Sequence, residues 1–157
     1  MGSLVCGVIE LLQAAVIFDM DGTLADCDHR LHFVQGAGKK DWEKFFAGSA
    51  DDLPNEPIVR LAQQLAVTNS LLIASGRPEK LRKVTESWLK KYELPYKRIY
   101  LRKNDDRRSD GLVKADMLEL MRVHGYEPWL AVDDRQTAVD AWRGLGLTCL
   151  QCNESSY

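Results

Sequence analysis

Two carboxylates, Asp19 and Asp21, directly follow an apolar run and are the first candidates for chemistry in this chain. The run, residues 14–18, is typical of a strand buried on both faces in the middle of a parallel sheet. Gly22 and Thr23 then turn the chain away. Because ligands of open α/β sheets bind outside the carboxyl ends of the strands, both acids are expected at a site. An Asp-x-Asp pair also follows many strands that have no catalytic role. Whether this pair marks a functional site therefore depends on the residues at the ends of the other predicted strands.

A second group of polar residues follows the predicted strand 71–74. Ser75 supplies a hydroxyl, Gly76 permits close approach of the backbone, and Arg77 supplies a planar cation. A helix is predicted to open at Pro78, and free N–H groups and the dipole at a helix start attract anions. This strand end is therefore predicted to bind an anion.

Two more acids, Asp133 and Asp134, follow the predicted strand 129–132. Acidic strand ends that face each other suit Mg²⁺, which prefers oxygen ligands together with waters and substrate phosphate. Lys114, near the start of a predicted helix, can supply a point charge to a phosphate. A magnesium site beside a phosphate site is the expectation.

Strand-like and helix-like segments alternate along the chain, which predicts parallel βα units and a central sheet of about five strands flanked by helices. The predicted strands are 14–18, 71–74, 98–101, 129–132 and 148–151. Helices are predicted after a cap at Asn55, from Pro78, over 112–120 and over 138–145. Residues 24–54 follow no regular pattern. We assign 14–157 to one domain and set 1–13 apart as an N-terminal extension.

The composition is that of an ordinary globular protein: 157 residues, 45% hydrophobic and 28% charged. No apolar stretch reaches membrane-spanning length, and the start lacks the basic flank of a signal peptide, so a cytoplasmic protein without membrane association is expected. Cys149 and Cys152 lie in a predicted strand, where residues three apart point to opposite faces, so buried or edge thiols are favoured over a metal or redox pair. Cys27, His29 and His32 lack a nearby fourth metal ligand.

The net charge of −2 argues against a general nucleic-acid binder, but the charge is unevenly distributed. Residues 77–114 contain 13 Lys and Arg against 6 Asp and Glu. Such asymmetry indicates one face suited to a polyanion. The lysines of the predicted helix fit a solvated helix face, so the better candidates for polyanion contacts are Arg102, Lys103, Arg107 and Arg108.

The order of these strand ends resembles the haloacid dehalogenase (HAD) superfamily of phosphotransferases. The motifs that carry the resemblance are Asp19-x-Asp21-Gly22-Thr23, Ser75, Lys114 and Asp133-Asp134. It implies a Rossmann-like fold, here without a large cap domain. It also implies that Asp19 is the nucleophile that forms an aspartyl-phosphate, and that Asp21 serves as general acid and then as base.

The same resemblance implies the binding roles. Asp19, the backbone carbonyl of Asp21 and Asp133 would hold Mg²⁺, with Asp134 supporting them. The phosphoryl oxygens would be bound by Thr23, Ser75 and Lys114. A neighbouring carboxylate is expected to raise the pKa of Asp21, while metal and cations keep Asp19 ionised.

A narrower resemblance links the chain to the 3′-phosphatase domain of phage polynucleotide kinase–phosphatases. Arg30 follows Asp19 at the spacing of a substrate-phosphate arginine in that family, and Arg77 matches the second arginine. Later matches are Asp110-x-x-x-Lys114 and Asp133-Asp134-Arg135, followed by Val139, Trp142-Arg143 and Gly146. The resemblance adds Arg30, Gly76, Arg77, Asp110 and Arg135 to the expected substrate-binding set.

The leading expectation is a Mg²⁺-dependent phosphomonoesterase that removes 3′-phosphates from DNA or RNA ends or from 3′-nucleotides. A phosphatase of small nucleotides or sugar phosphates is the alternative, and a non-catalytic accessory subunit is less favoured because Asp19 is present. Without a kinase half the chain is expected to work beside a separate kinase or ligase. Residues 28–55 are expected to form a short substrate-facing loop, and the 151–157 tail lacks the family's usual Gly-Asp ending.

Overall fold

The computed structural model describes residues 12–155, and its centre is a parallel sheet. Five parallel strands lie in the order β5-β4-β1-β6-β7, so β1 is in the middle and β5 forms one edge. The short strands β2 and β3 pair antiparallel outside this sheet. The strands are β1 (Gln13–Phe18), β2 (Ala25–Asp26), β3 (Leu53–Pro54), β4 (Ser70–Pro78), β5 (Tyr96–Arg102), β6 (Tyr126–Arg135) and β7 (Thr148–Ser155).

Helices cover both faces of the sheet, which gives the three-layer α/β arrangement expected for a Rossmann-like fold. One hydrophobic cluster joins alternate residues of β1 and β4 to Trp88 and Leu89, and the other joins the intervening strand residues to Met117, Met121 and Trp142. The helices are α1 (Trp42–Ala47), α2 (Glu56–Leu65), α3 (Arg82–Lys91), α4 (Asp110–Val123) and α5 (Gln136–Gly144).

The middle position of β1 explains why its sequence is uniformly apolar. Residues 15–18 are at most 1% exposed because helices cover both faces and strands flank both edges. β1 pairs in parallel with β4 and β6, so the carboxyl ends of all three strands meet at one edge of the sheet. This edge carries the polar strand ends identified from the sequence.

Residues 27–52 form a small folded unit between β2 and β3, which we call the mini-cap. It contains two 3-10 helices, Asp28–Phe33 and Ser49–Asp51, and helix α1. Phe45 and Val34 are buried in a small hydrophobic cluster of its own. The absence of a large cap is confirmed for the described residues, but the expectation of an irregular loop here was wrong, because short helices and a local core order the segment.

The helix predicted from Pro78 begins later. β4 continues through Pro78, whose ψ of 152° is extended, and a 3-10 turn over Glu79–Leu81 precedes α3. The predicted anion site is thus not built on a helix start at Pro78. β7 also runs to Ser155, beyond the predicted end at 151.

The N-terminal extension predicted for 1–13 lies outside the described residues except at its last two positions. Gln13 already belongs to β1. Among the described residues, no helix combines the length and hydrophobicity needed to cross a membrane.

Candidate active site

Asp19 and Lys114 form the centre of the site at the carboxyl end of the sheet. Asp19 is 8% exposed, and Lys114 Nζ lies 3.3 Å from its Oδ1. The same ammonium donates to the carbonyl oxygen of Ala74 at 2.9 Å and lies 3.2 Å from Asp133 Oδ2. Lys114 is therefore a fixed positive charge between two strand ends, as a phosphoryl-binding lysine requires.

Three carboxylates, those of Asp19, Asp133 and Asp134, offer oxygen atoms within 4.8 Å of one another. Burial raises the pKa of Asp19 well above its usual range; Lys114 opposes this, while the neighbouring acids Asp133, Asp134 and Asp21 add to it. Burial likewise raises the pKa of Asp134 to about 6. Without another cation, crowded buried carboxylates are unfavourable.

One oxygen of Asp134 lacks the partner that a bound metal ion would supply. Its Oδ1 accepts from Thr23 Oγ1 at 3.1 Å, whereas its Oδ2 is buried and is the one such side-chain oxygen or nitrogen without a hydrogen-bond partner among the described residues. A hard oxygen-only set of this kind suits Mg²⁺. Asp19, the Asp21 carbonyl, Asp133 and Asp134 would hold the ion, which would neutralise charge on a bound phosphoryl group.

Gly22 allows the turn after β1 to approach Asp134. Its φ is +82°, and a Cβ built there would lie 2.1 Å from Asp134 Oδ2. Any other residue would be strained in this conformation and would displace the carboxylate. The glycine of the Asp-x-Asp-Gly-Thr motif is thus required by both its backbone and its neighbour.

Asp21 contacts the two arginines that the sequence assigned to substrate. Arg30 Nη2 donates to its Oδ1 at 2.5 Å, and Arg77 donates through Nε at 3.0 and 3.1 Å and through Nη2 at 2.5 Å. Both guanidinium groups are at most 1% exposed. The two arginines and the expected acid–base residue therefore lie in one buried cluster.

The expectation of a raised pKa for Asp21 was wrong for this state of the protein. Burial acts in that direction, but the charges and hydrogen bonds of Arg77 and Arg30 outweigh it and lower the pKa to about 2. Asp19 directly follows β1, two residues before Asp21, and is visible in the sequence, whereas the arginines that lower the pKa arrive from other segments of the chain. Asp21 is thus ionised while it holds both guanidinium groups.

Asp52 completes this cluster and was missed by the sequence analysis. It is fully buried, and its carboxylate accepts from Arg30 Nε at 2.7 Å, from Arg30 Nη2 at 2.5 Å and from Arg77 Nη2 at 3.0 Å. His29 Nε2 lies 2.9 Å from Oδ1, and Trp88 Nε1 donates to the backbone carbonyl at 2.8 Å. Asp52 is separated from Arg30 by 22 residues, so no local spacing indicates the contact.

Ser75, Gly76 and Thr23 line the same region. Ser75 is 1% exposed, and its Oγ accepts from the backbone N–H of Arg77 at 3.3 Å. Thr23 is fully buried against Asp134. The structure thus brings these three residues to the strand ends where the sequence placed them.

Asp110 and Arg135 lie at the rim. Asp110 accepts from Arg135 Nη2 and from Thr137 Oγ1 at 3.2 Å on one oxygen, and from Arg102 Nη2 at 2.6 Å on the other. Arg135 Nη2 lies 3.9 Å from the position that a Cβ on Gly76 would take. Asp110 therefore orients two rim arginines, a contact the sequence did not specify.

Trp142 packs in the core and also contacts the acidic cluster. Its ring is fully buried, and its Nε1 donates to Asp133 Oδ2 at 3.1 Å. Lys114 Nζ lies 5.2 Å from the ring centroid. Groups that hydrogen-bond a metal ligand orient it for the ion. Trp142 is thus a positioning residue for Asp133.

Trp142→Phe should weaken Mg²⁺ binding while keeping the fold. Phenylalanine retains a buried ring but removes the N–H that orients Asp133, so we expect the half-saturating Mg²⁺ concentration to rise about tenfold. Thermal-shift titration with MgCl₂ measures this without turnover. Trp129→Phe, at a half-exposed position whose indole bonds Asn69, is the control. Unchanged Mg²⁺ affinity in Trp142→Phe would make the residue a packing residue only.

Comparison with known proteins agrees with this geometry. The model of the polynucleotide kinase PNKP phosphatase domain matches residues 13–157. Two chains from structures of the Pnkp1/Rnl/Hen1 RNA repair complex align over 93% of this chain with 28% and 29% identity and TM-scores of 0.75 and 0.76. This chain covers only 44% and 48% of their lengths.

A haloacid dehalogenase-like hydrolase from Streptococcus pneumoniae supports the fold alone. It shares 16% identity at a TM-score of 0.63, over 90% of this chain and 84% of the other. The family match spans nearly the whole described chain, including every strand of the sheet and each candidate site residue. The chain is therefore a HAD-fold phosphatase domain and belongs to the family of polynucleotide kinase PNKP phosphatase domains.

Proposed function

We propose that this protein is a Mg²⁺-dependent phosphomonoesterase that removes the 3′-phosphate from DNA or RNA ends or from 3′-nucleotides. The observation that carries the proposal is the buried pair Arg30 and Arg77 against Asp21, beside the nucleophile candidate Asp19. Planar guanidinium groups bind phosphate through paired hydrogen bonds. Two guanidinium groups beside the carboxylates of Asp19 and Asp21 suit a terminal phosphate ester.

The residues divide the reaction into two displacements. Asp21 takes up a proton from solvent once the substrate phosphate has displaced it from Arg30 and Arg77. An oxygen of Asp19 then bonds to phosphorus, and the bond from phosphorus to the nucleoside oxygen breaks as Asp21 gives that oxygen its proton. Asp21 then takes a proton from water, whose oxygen bonds to phosphorus and releases Asp19 and inorganic phosphate. Lys114 and Ser75 bind the phosphoryl oxygens throughout, because charge there must be neutralised before a carboxylate can attack.

Asp21 and Asp52 share the arginines in the free protein, and this sharing gives the substrate a place to bind. An incoming phosphate can accept the hydrogen bonds that the two arginines now donate to Asp21. Asp52 meanwhile keeps the guanidinium groups in position. Asp21 is then released from the contacts that hold it in its charged form.

Phosphate release from matched oligonucleotides tests the proposal. The substrates are one sequence carrying a 3′-phosphate or a 5′-phosphate, with the corresponding mononucleotides, all with Mg²⁺. We expect release from the 3′-phosphorylated substrates and little from the 5′-phosphorylated ones. Indifference to phosphate position would contradict the proposal and favour a phosphatase of small nucleotides or sugar phosphates, which would use the same catalytic residues. A non-catalytic accessory subunit would release no phosphate at all.

Chelation should abolish phosphate release, and MgCl₂ should restore it. The buried, unpartnered oxygen of Asp134 in an acidic cluster predicts that activity depends on a divalent cation. Thermal stability should rise with MgCl₂ by mass action in the wild type and much less in Asp134→Asn. Full activity after exhaustive EDTA treatment and dialysis would contradict the metal assignment.

A second repair activity is the expected partner of such a phosphatase. The two structures of higher identity come from an assembly named as Pnkp1/Rnl/Hen1, an RNA repair complex. A 3′-phosphate blocks joining, so its removal would leave an end that a ligase can use. We therefore propose that a kinase or ligase acts on the same ends.

A further inference from the structure

A groove runs along the open edge of β5, outside the catalytic cluster. Its volume is about 690 Å³. Residues of the segment 79–86 line one part of it, and residues of α4 line another. Ile99, Val113 and Met117 contribute apolar surface to it. Because β5 is the edge strand, no described segment of the chain covers this side.

The charge of the groove is positive after its internal ion pairs are considered. Arg82 pairs with Glu79 and Glu86, and Arg108 pairs with Asp106 and Asp116 at 2.7 Å each, so each of these two arginines is matched by two acids. Lys97, Arg98 and Lys103 also line the groove, are exposed, and have no ion-pair partner among residues 12–155. These three cations are available to a ligand that carries negative charge along its length.

The groove is continuous with the active-site rim. Arg102 lines the groove and also donates to Asp110 at 2.6 Å. Asp110 in turn bonds Arg135, which lies beside Gly76. A chain of contacting polar side chains therefore leads from the phosphate site to β5.

We propose that this β5 groove binds the polynucleotide strand on the 5′ side of the terminal phosphate. The inference rests on the proposed 3′-phosphatase function and adds the location of the strand. Phosphates would contact Lys97, Arg98 and Lys103. The half-buried Tyr96, which also lines the groove, and the apolar side chains named above would contact sugars and bases. Cations on an open strand edge also oppose pairing with another β-strand, which favours a nucleic acid over a protein segment as the occupant.

The length of β5 sets the size of the bound segment. Seven residues of strand span roughly 23 Å, which accommodates up to about six stacked nucleotides. We expect kcat/KM for 3′-phosphorylated oligonucleotides to rise with length to about six nucleotides and then to level off.

The double variant Lys97→Gln/Arg98→Gln tests the location. It should keep the wild-type rate on a 3′-mononucleotide but lose about tenfold in kcat/KM on a ten-nucleotide substrate, with a salt slope smaller by about 1.4. Lys39→Gln/Lys40→Gln removes the same charge from exposed positions outside the groove and is the control. Equal losses in both variants, no effect of length in the wild type, or equal losses on both substrates would overturn the proposal.

Binding of an unphosphorylated ten-nucleotide strand, followed by fluorescence anisotropy, separates this inference from the proposed function. Weaker binding by the groove variant than by its control would support the groove even if no 3′-phosphate is released. Unchanged strand binding would overturn it even if 3′-phosphatase activity is confirmed, and the groove would then fit a protein segment better.

Discussion

Asp19→Asn should lower phosphate release by roughly 10⁴-fold or more, because removal of a nucleophile leaves only the contribution of binding and electrostatics. The amide has the shape of the carboxylate but cannot form the aspartyl-phosphate, a mixed anhydride. Asp19 is 8% exposed and contacts Lys114, so the substitution changes a buried contact without leaving a cavity. Initial rates on a 3′-phosphorylated oligonucleotide measure the loss.

Two controls separate lost chemistry from lost structure. Asp28→Asn changes an exposed carboxylate in the mini-cap and should keep wild-type activity. Asp19→Ala should be as inactive as Asp19→Asn, which excludes activity from an asparagine that has deamidated. Acid quenching of the wild type during turnover of a labelled substrate should trap label on the protein, and the variants should trap none. Residual activity above about 1% in both variants would contradict the covalent mechanism.

The strand ends that carry the site could be predicted because local pattern determines them. An uninterrupted apolar run is needed in a strand covered on both faces, so β1 and β4 are visible in the sequence. Parallel topology then places the acids that follow β1 beside those at the end of β6. Lys114 was placed by the same reasoning through its helix. The positions of these site residues follow from the sequence immediately around them.

The contacts that could not be predicted join distant segments. Asp52 meets Arg30 when the mini-cap folds and reaches Arg77 only when the mini-cap packs against β4. Asp110 meets Arg102 and Arg135 only at the rim. The start of α3 was misplaced because Pro78 fits both the first turn of a helix and the end of an extended strand. In each case the local sequence allows more than one conformation or contact partner, and tertiary packing selects one of them.

Asp52→Asn should damage both the stability of the fold and substrate binding. The carboxylate accepts three hydrogen bonds from Arg30 and Arg77, and all three residues are at most 1% exposed. Loss of one partner from a buried ion pair typically costs about 3–5 kcal/mol because a charge remains uncompensated. We expect the free energy of unfolding to fall by about 3 kcal/mol, measured by urea denaturation.

The effect on activity distinguishes positioning from stability. Measured at a temperature where circular dichroism shows the variant folded, kcat/KM on 3′-phosphorylated substrates should fall about 100-fold, mainly through KM, because a small displacement of both guanidinium groups misplaces the phosphate. Asp51→Asn, at the exposed neighbouring position, should change neither quantity. Lower stability with normal KM would restrict Asp52 to a structural role. A raised KM in the folded variant would show that the mini-cap holds the two arginines in place for the substrate, since Asp52 contacts both and Arg30 itself comes from the mini-cap.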